Sequence, residues 1–249
     1  MSIGWNPWHG CRRVSEGCRN CYVYRIDGAH GRESQEVSLN ADFLLPLRQS
    51  KGSAKIESGE RVYTCFSSDF LIEEADDWRP DAWQMMRLRS DLHFVFFTKR
   101  IERLASHLPP DWGDGYENVT VGCTCENQAR ADERLPIFLS LPLRHRTIVC
   151  EPLLSPIDLR PYLDRTKIEE VSAGGESGEG ARLCEFAWIE DLHRACAEAN
   201  VRFTYHQTGA LLQRDGRLYH IPRRHQHEQA KRALQELEES ARHRQVSKT

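Results

Sequence analysis

The sequence predicts an α/β chain folded as a partial or near-complete (β/α) barrel of the TIM type, with parallel strands and a charged C-terminal helix. Three observations carry this. From residue 61 onward, short runs rich in β-branched and aromatic residues alternate with longer amphipathic stretches. The short runs are close to continuously apolar, the pattern of parallel strands buried on both faces. Most of them end in a reactive or charged cluster, as expected where strand ends gather on one rim that binds ligands. A chain of 249 residues suits one such domain. An open doubly wound sheet is the alternative reading of the same alternation.

The first strand is placed at residues 2–5, and six more follow at 61–66, 93–98, 119–123, 147–150, 170–173 and 202–205. Helices are expected at 21–29, 81–89, 100–107, 128–139 and 186–198. Pro80 suits the opening of the second of these, and Asn200 the end of the last. Residues 30–60 show little periodicity and read as an irregular connection. Residues 217–224 form a basic stretch with one aromatic, Tyr219, which reads either as a solvated loop or as a phosphate contact. From Gln226 the composition turns charged. Ala230, Ala233, Leu234 and Leu237 then give a thin apolar stripe at helical spacing, the mark of a surface helix. The domain reading is a barrel over 1–222 and a charged helix and tail over 223–249.

Net charge is −3 with histidines neutral, so no global basic balance argues for a nucleic-acid partner. No stretch approaches the about 20 apolar residues of a membrane span, and Met1-Ser2-Ile3-Gly4-Trp5 lacks the apolar core of a signal peptide. A cytoplasmic location without a membrane partner is the expectation. In that reducing compartment the nine cysteines read as ligands and core thiols rather than as disulfides.

Residues 5–25 are the stretch around which the chemistry gathers. Cys11, Cys18 and Cys21 fall within eleven positions, spaced C-x6-C-x2-C. Thiolates at such spacing can converge on one soft metal centre without distant chain. Pro7, Gly10 and Gly17 mark the segment as a loop. Three thiolates are one short of the four that usually hold a structural zinc or an iron–sulfur cluster. A fourth iron without a protein ligand could hold a small molecule. The alternatives are a structural zinc, with His9 or His30 as fourth ligand, and unliganded thiols.

The strand ends supply the other candidates: Asp69 after the second strand, Lys99 and Arg100 after the third, Glu126 and Asn127 after the fourth. Glu151 follows the fifth, and Gly174, Gly175, Glu176 and Ser177 follow the sixth. Each has a plain structural reading beside the functional one. Asp69 could cap the next turn, and Lys99 and Arg100 could be surface charges. Glu126 and Glu151 follow buried strands directly, where a carboxylate must be paired or ligand-bound. A Glu126–Arg or Glu151–Lys99 ion pair is the structural form of that. The glycine-rich run would let a ligand approach the backbone closely. Cys65, Cys123, Cys125, Cys150, Cys184 and Cys196 read as core thiols.

These motifs in this order resemble a phage- and mobile-element-associated three-Cys-motif family of undefined function, related to the radical S-adenosylmethionine superfamily. The resemblance covers about residues 3–210. It rests on Trp5-Asn6-Pro7-Trp8-His9-Gly10-Cys11 through Arg25, Phe97-Thr98-Lys99-Arg100, Glu126-Asn127-Gln128, Cys150-Glu151-Pro152-Leu153-Leu154 and Gly174-Gly175-Glu176-Ser177-Gly178. The flanks of the cysteines are distantly similar to the spore-photoproduct-lyase-like branch. The spacing departs from that superfamily's common C-x3-C-x2-C by three residues. His206-Gln207-Thr208-Gly209 stands where relatives carry Lys-Gln-Trp-Gly.

The resemblance implies that Cys11, Cys18 and Cys21 hold three irons of a [4Fe–4S] cluster and S-adenosylmethionine the fourth. An external one-electron reductant would then yield a 5′-deoxyadenosyl radical. Asp69, Glu126, Asn127, Gly174, Gly175, Glu176 and Ser177 would bind the cofactor, and Lys99 and Glu151 would serve the unknown substrate. A nucleic acid, or a partner protein from the same mobile element, would be the larger partner. The zinc alternative instead implies a non-catalytic binding module.

Overall fold

The computed structural model describes residues 2–50 and 52–246. Its main sheet has seven strands: β1 (Ser2–Trp5), β2 (Arg61–Thr64), β3 (His93–Thr98), β4 (Val119–Thr124), β5 (His145–Cys150), β6 (Glu170–Gly174) and β7 (Arg202–Gln207). Their spatial order is their sequence order, with β1 and β7 at the two ends. The pairs β1–β2, β2–β3, β3–β4 and β6–β7 run parallel. This is the α/β fold read from the sequence, in the partial form of the (β/α) barrel. Sequential parallel strands each need a crossover, so every strand end expected on the ligand rim follows its strand in the same sense.

The chain divides into two compact units: Met1–Thr124 with Glu133–Thr147, and Cys125–Asp132 with Ile148–Thr249. In the first, all six residues of β4 are buried, as a strand covered on both faces requires. An aromatic core packs beside it. Phe70 stacks on Phe96 at 4.4 Å, and Trp83 meets Phe70 edge-on at 4.9 Å. Helix α1 (Tyr22–Ala29) follows the cysteine loop, and α2 (Arg79–Leu88) opens with Pro80 in its first turn.

Helix α3 (Gln128–Ser140) leads from the second unit into the first and buries Ala131, Leu135 and Phe138 at helical spacing. In the second unit, α4 (Phe186–Ala199) buries Phe186, Ile189, Leu192 and Cys196. It ends at Asn200, whose left-handed backbone (φ 54°, ψ 42°) closes the last turn. Helix α5 (Arg223–Val246) buries Ala230, Ala233 and Leu237 of the expected thin stripe and leaves Leu234 half-buried.

Three expectations are corrected. Residues 100–107 form no α-helix but two short 3-10 turns, Ile101–Arg103 and Ala105–His107. Side chains there are bound outward. Arg103 reaches Leu71 O at 2.9 Å and Asp76 at 2.8 Å, and the His107 carbonyl accepts from Trp83 Nε1 at 2.9 Å. The second strand stops at Thr64 rather than residue 66, because Cys65 has φ +67° and leaves the extended region. The basic stretch is no loop. Strand β8 (Leu211–Arg214) pairs antiparallel with β9 (Arg217–His220), all four residues of β9 are exposed, and α5 begins at Arg223.

Candidate functional site

In the first unit the cysteine loop is fastened along its first arm. Cys65 N donates to Trp5 O at 2.8 Å, Ser67 N to Asn6 Oδ1 at 3.0 Å, and Gly10 N to Ser67 O at 3.2 Å. Cys11 N donates to Ser34 O at 2.7 Å, and the Tyr24 hydroxyl donates to Cys11 O. Gly10 has φ +94°, and a Cβ there would lie 2.6 Å from Glu36 O, so only glycine fits directly before the first cysteine. His9 Nε2 lies 2.9 Å from Oδ1 of the fully buried Asp27, and Ser34 Oγ donates to Asp27 Oδ2 at 2.7 Å. Burial pushes that carboxyl up. The bonds from Ser34 and His9, with the charge of Arg32, outweigh it and hold the carboxyl below its ordinary value.

Cys11, Cys18 and Cys21 are free thiols of intermediate exposure. Burial first, then the Asp69 charge, push the Cys11 thiol up to about 12 against the pull of Arg100. Burial also raises Cys21, against the pull of Lys99. The Cys18 charge acts on both neighbours, and all three thiols help burial to raise Tyr24. The trio therefore stands within electrostatic reach of itself. Among the described residues, however, no three His, Cys, Asp or Glu side chains are gathered closely enough to hold a single metal ion.

Asp69 is buried and fully engaged. Its Oδ1 accepts from Leu71 N at 2.9 Å and from Thr98 Oγ1 at 2.7 Å. Its Oδ2 accepts from Lys99 N at 2.9 Å and lies 3.2 Å from Arg100 Nη1. The carboxylate thus closes its own turn and fastens the end of β2 to that of β3, the capping alternative realised across two strands. Arg100 is buried as well, with Nη2 donating to Arg12 O at 2.7 Å and Nη1 3.9 Å from Cys11 Sγ. Of the two adjacent cations, Lys99 is half-buried and Arg100 makes the contact with the loop.

A cleft of about 460 Å³ in the same unit, lined by Trp83, Leu108, Pro109 and Tyr116 among others, contains none of these residues. It does contain Ser106, His107 and Asp76, in the order of a nucleophile, a base and an acid. The geometry forbids that use. His107 Nδ1 lies 3.0 Å from Ser106 Oγ but also 2.7 Å from Arg103 O, to which it can only donate, and Nε2 faces the Arg103 guanidinium and Asp76 Oδ2 at 3.3 Å each. Neither nitrogen is left to take the Ser106 proton.

In the second unit the strand ends carry a separate set. Glu126 is fully buried, and its backbone oxygen accepts from Leu154 N at 2.9 Å. Asn127 caps α3, its Oδ1 accepting from Arg130 N at 3.0 Å. Glu151 does not pair with Lys99. Its Oε1 accepts from Ser172 Oγ at 2.6 Å, and its Oε2 lies 2.8 Å from His206 Nδ1. Glu176 is buried and binds Arg182, through the backbone N and Nε at 2.9 Å each and through Nη2. Ser177 is half-buried beside it.

The glycine pair is explained by the chain itself rather than by a ligand. A Cβ on Gly175 would lie 2.3 Å from Thr208 O, and one on Gly174 would lie 3.1 Å from Gln207 O and from Glu151 Oε2. The close approach read from the glycines is that of the last residue of β7 and the residue after it. Sequence reasoning did not find the partners His206, Ser172 and Arg182 in these roles; a strand-end histidine at 206 was the available signal for the first.

No curated protein matches the chain, and no solved structure does. The family model described as "Protein of unknown function (DUF5131)" matches residues 1–246, and the chain belongs to that family.

Proposed function

We propose that this protein is an iron–sulfur enzyme of the radical S-adenosylmethionine type, with Cys11, Cys18 and Cys21 each binding one iron of a [4Fe–4S] cluster. One observation carries the reading. Three thiols of intermediate exposure, spaced C-x6-C-x2-C, stand on one loop whose first arm is fastened by bonds to residues 34, 65 and 67. A structural zinc takes four protein ligands. A cubane takes one thiolate per iron and can leave its fourth iron to a small molecule, so three cysteines suffice for it. When bound, the cluster with S-adenosylmethionine supplies one-electron cleavage of the sulfonium to a 5′-deoxyadenosyl radical.

The chain's own residues supply position. Gly10 and the bonds to residues 34 and 67 fix the loop at Cys11, and the Tyr24 hydroxyl holds its carbonyl. The Lys99 charge favours the thiolate of Cys21. The mechanism assigns S-adenosylmethionine and a dedicated external reductant as partners. Among the described residues no helix is long and apolar enough to cross a membrane.

The test is anaerobic reconstitution followed by iron and sulfide quantification. About four irons per chain and a broad absorption near ~400 nm are expected from thiolate ligation, as is release of 5′-deoxyadenosine with dithionite and S-adenosylmethionine. A Cys18→Ala protein that still releases it, or one zinc per chain in place of iron, would sink the reading. The substrate class is tested separately by gel shift over a salt series. Binding to DNA or RNA that weakens with salt supports a nucleic-acid substrate, and no such binding ends that reading.

A further inference from the structure

Arg100 lies 89 residues from Cys11, yet the fold brings its guanidinium onto that thiol. The side chain is only 8% exposed, and the contact is built from both ends. The Arg100 backbone N donates to Thr98 Oγ1 at 2.9 Å, Nη2 to Arg12 O at 2.7 Å, and Nη1 faces both Asp69 Oδ2 at 3.2 Å and Cys11 Sγ at 3.9 Å. A guanidinium carries its charge at every accessible pH and presents its N–H groups in a rigid fork. The cation next to Cys11 is therefore permanent, and among the described residues Asp69 is the carboxylate set against it, at 3.2 Å.

Reduction of a cluster adds one negative charge. A fixed cation and an N–H group at a ligand sulfur favour that state, and a fixed anion opposes it. We infer that Arg100 is a positioning residue that poises the cluster through Cys11 toward reduction, with Asp69 as the opposing charge. This rests on the reading that the three cysteines hold a [4Fe–4S] cluster. The step is one electron passing from the reductant to the oxidised cluster, with no bond made or broken.

The experiment is an anaerobic redox titration of the reconstituted full chain, followed by electron paramagnetic resonance, for wild type, Arg100→Gln and Asp69→Asn. Iron and sulfide are quantified in each, and folding is followed by circular dichroism. At a fixed solution potential the reduced-to-oxidised ratio should fall about tenfold in Arg100→Gln, which for a one-electron couple is about 59 mV. Asp69→Asn should move the ratio the other way. A merely structural role for the pair predicts no such reversal of sign. Iron bound equally, with the Arg100→Gln ratio within about twofold of wild type, overturns the assignment while leaving the cluster reading intact. If Arg100→Gln does not fold or load, Asp69→Asn decides, and an unchanged or lowered ratio overturns the assignment. Wild type that binds no iron overturns both.

Discussion

Replacing Asp69 with alanine separates a structural carboxylate from one held ready for a ligand. In the structure the carboxylate satisfies Leu71 N, Thr98 Oγ1 and Lys99 N, and faces a guanidinium that is only 8% exposed. Alanine would strand two backbone N–H groups, one hydroxyl and one buried cation. Breaking a buried ion pair from one side costs about 3–5 kcal/mol, and an unsatisfied buried donor about 1–3 kcal/mol. These terms overlap, because water can enter beside the half-buried Lys99, so we take about 4 kcal/mol. That is a large part of the about 5–15 kcal/mol that holds a typical domain. At about 2–4 °C per kcal/mol for a chain of this size, Tm should fall by about 8–16 °C. Asparagine keeps an acceptor for Leu71 and Thr98 but puts an N–H2 donor where Oδ2 accepts from Lys99 N and faces Arg100, so Asp69→Asn should lose part of that and Asp69→Ala all of it. The assay is thermal unfolding of the metal-free, reduced protein at pH 7 by circular dichroism. A melting point for Asp69→Ala within about 2 °C of wild type would refute the bracing role and return Asp69 to the ligand-binding reading.

Gly175→Ala should destabilise by about 1–3 kcal/mol, because the new methyl meets Thr208 O at 2.3 Å. Gly28→Ala, in α1 with open space around it, should stabilise by about 0.5–1 kcal/mol. Urea titration reads both, and equal signs would contradict the packing. His206 should titrate above its ordinary value of 6.5, chiefly through its bond to Glu151 and against burial. A raised histidine stabilises the fold below its unfolded pKa and loses that contribution as pH rises through the folded value. Glu151→Gln should therefore cost most below about pH 6.5 and least in alkali, and NMR of the His206 ring should show its pKa returning toward the ordinary value. Asp76 is held down to about 2 because bonds and charges from Arg79 and Arg103 outweigh its burial. Its contribution is full above the ordinary carboxylate pKa and is lost as pH falls toward about 2. Asp76→Asn should be less stable than wild type at pH 7, and the difference should close as pH falls through about 2.

The strands and helices were legible because their signal is local. Continuous apolar runs announced β3 and β4, and the spacing of Ala131, Leu135 and Phe138 lay in the helical period before any packing was known. The segment 100–107 had helical composition but not a helical outcome, since Arg100 and Arg103 are bound to residues 12, 69, 71 and 76, far away in sequence. The glycine run was read for a ligand because a sequence shows that space is needed, not what fills it. In the fold, Thr208 fills it. Likewise the charge after each strand was visible, and its partner was not. Glu151 met His206 rather than Lys99, and Glu176 met Arg182.

The sequence by itself determined the alternation of strand and helix and the grouping of three cysteines, because each depends on residues close together along the chain. Only the tertiary structure decided which cation meets which thiol and which carboxylates are already spent on the chain's own donors. Most of those pairings join residues far apart in sequence, 55 positions for Glu151 and His206 and 89 for Cys11 and Arg100, and they are set by which strand ends come to lie side by side in the sheet.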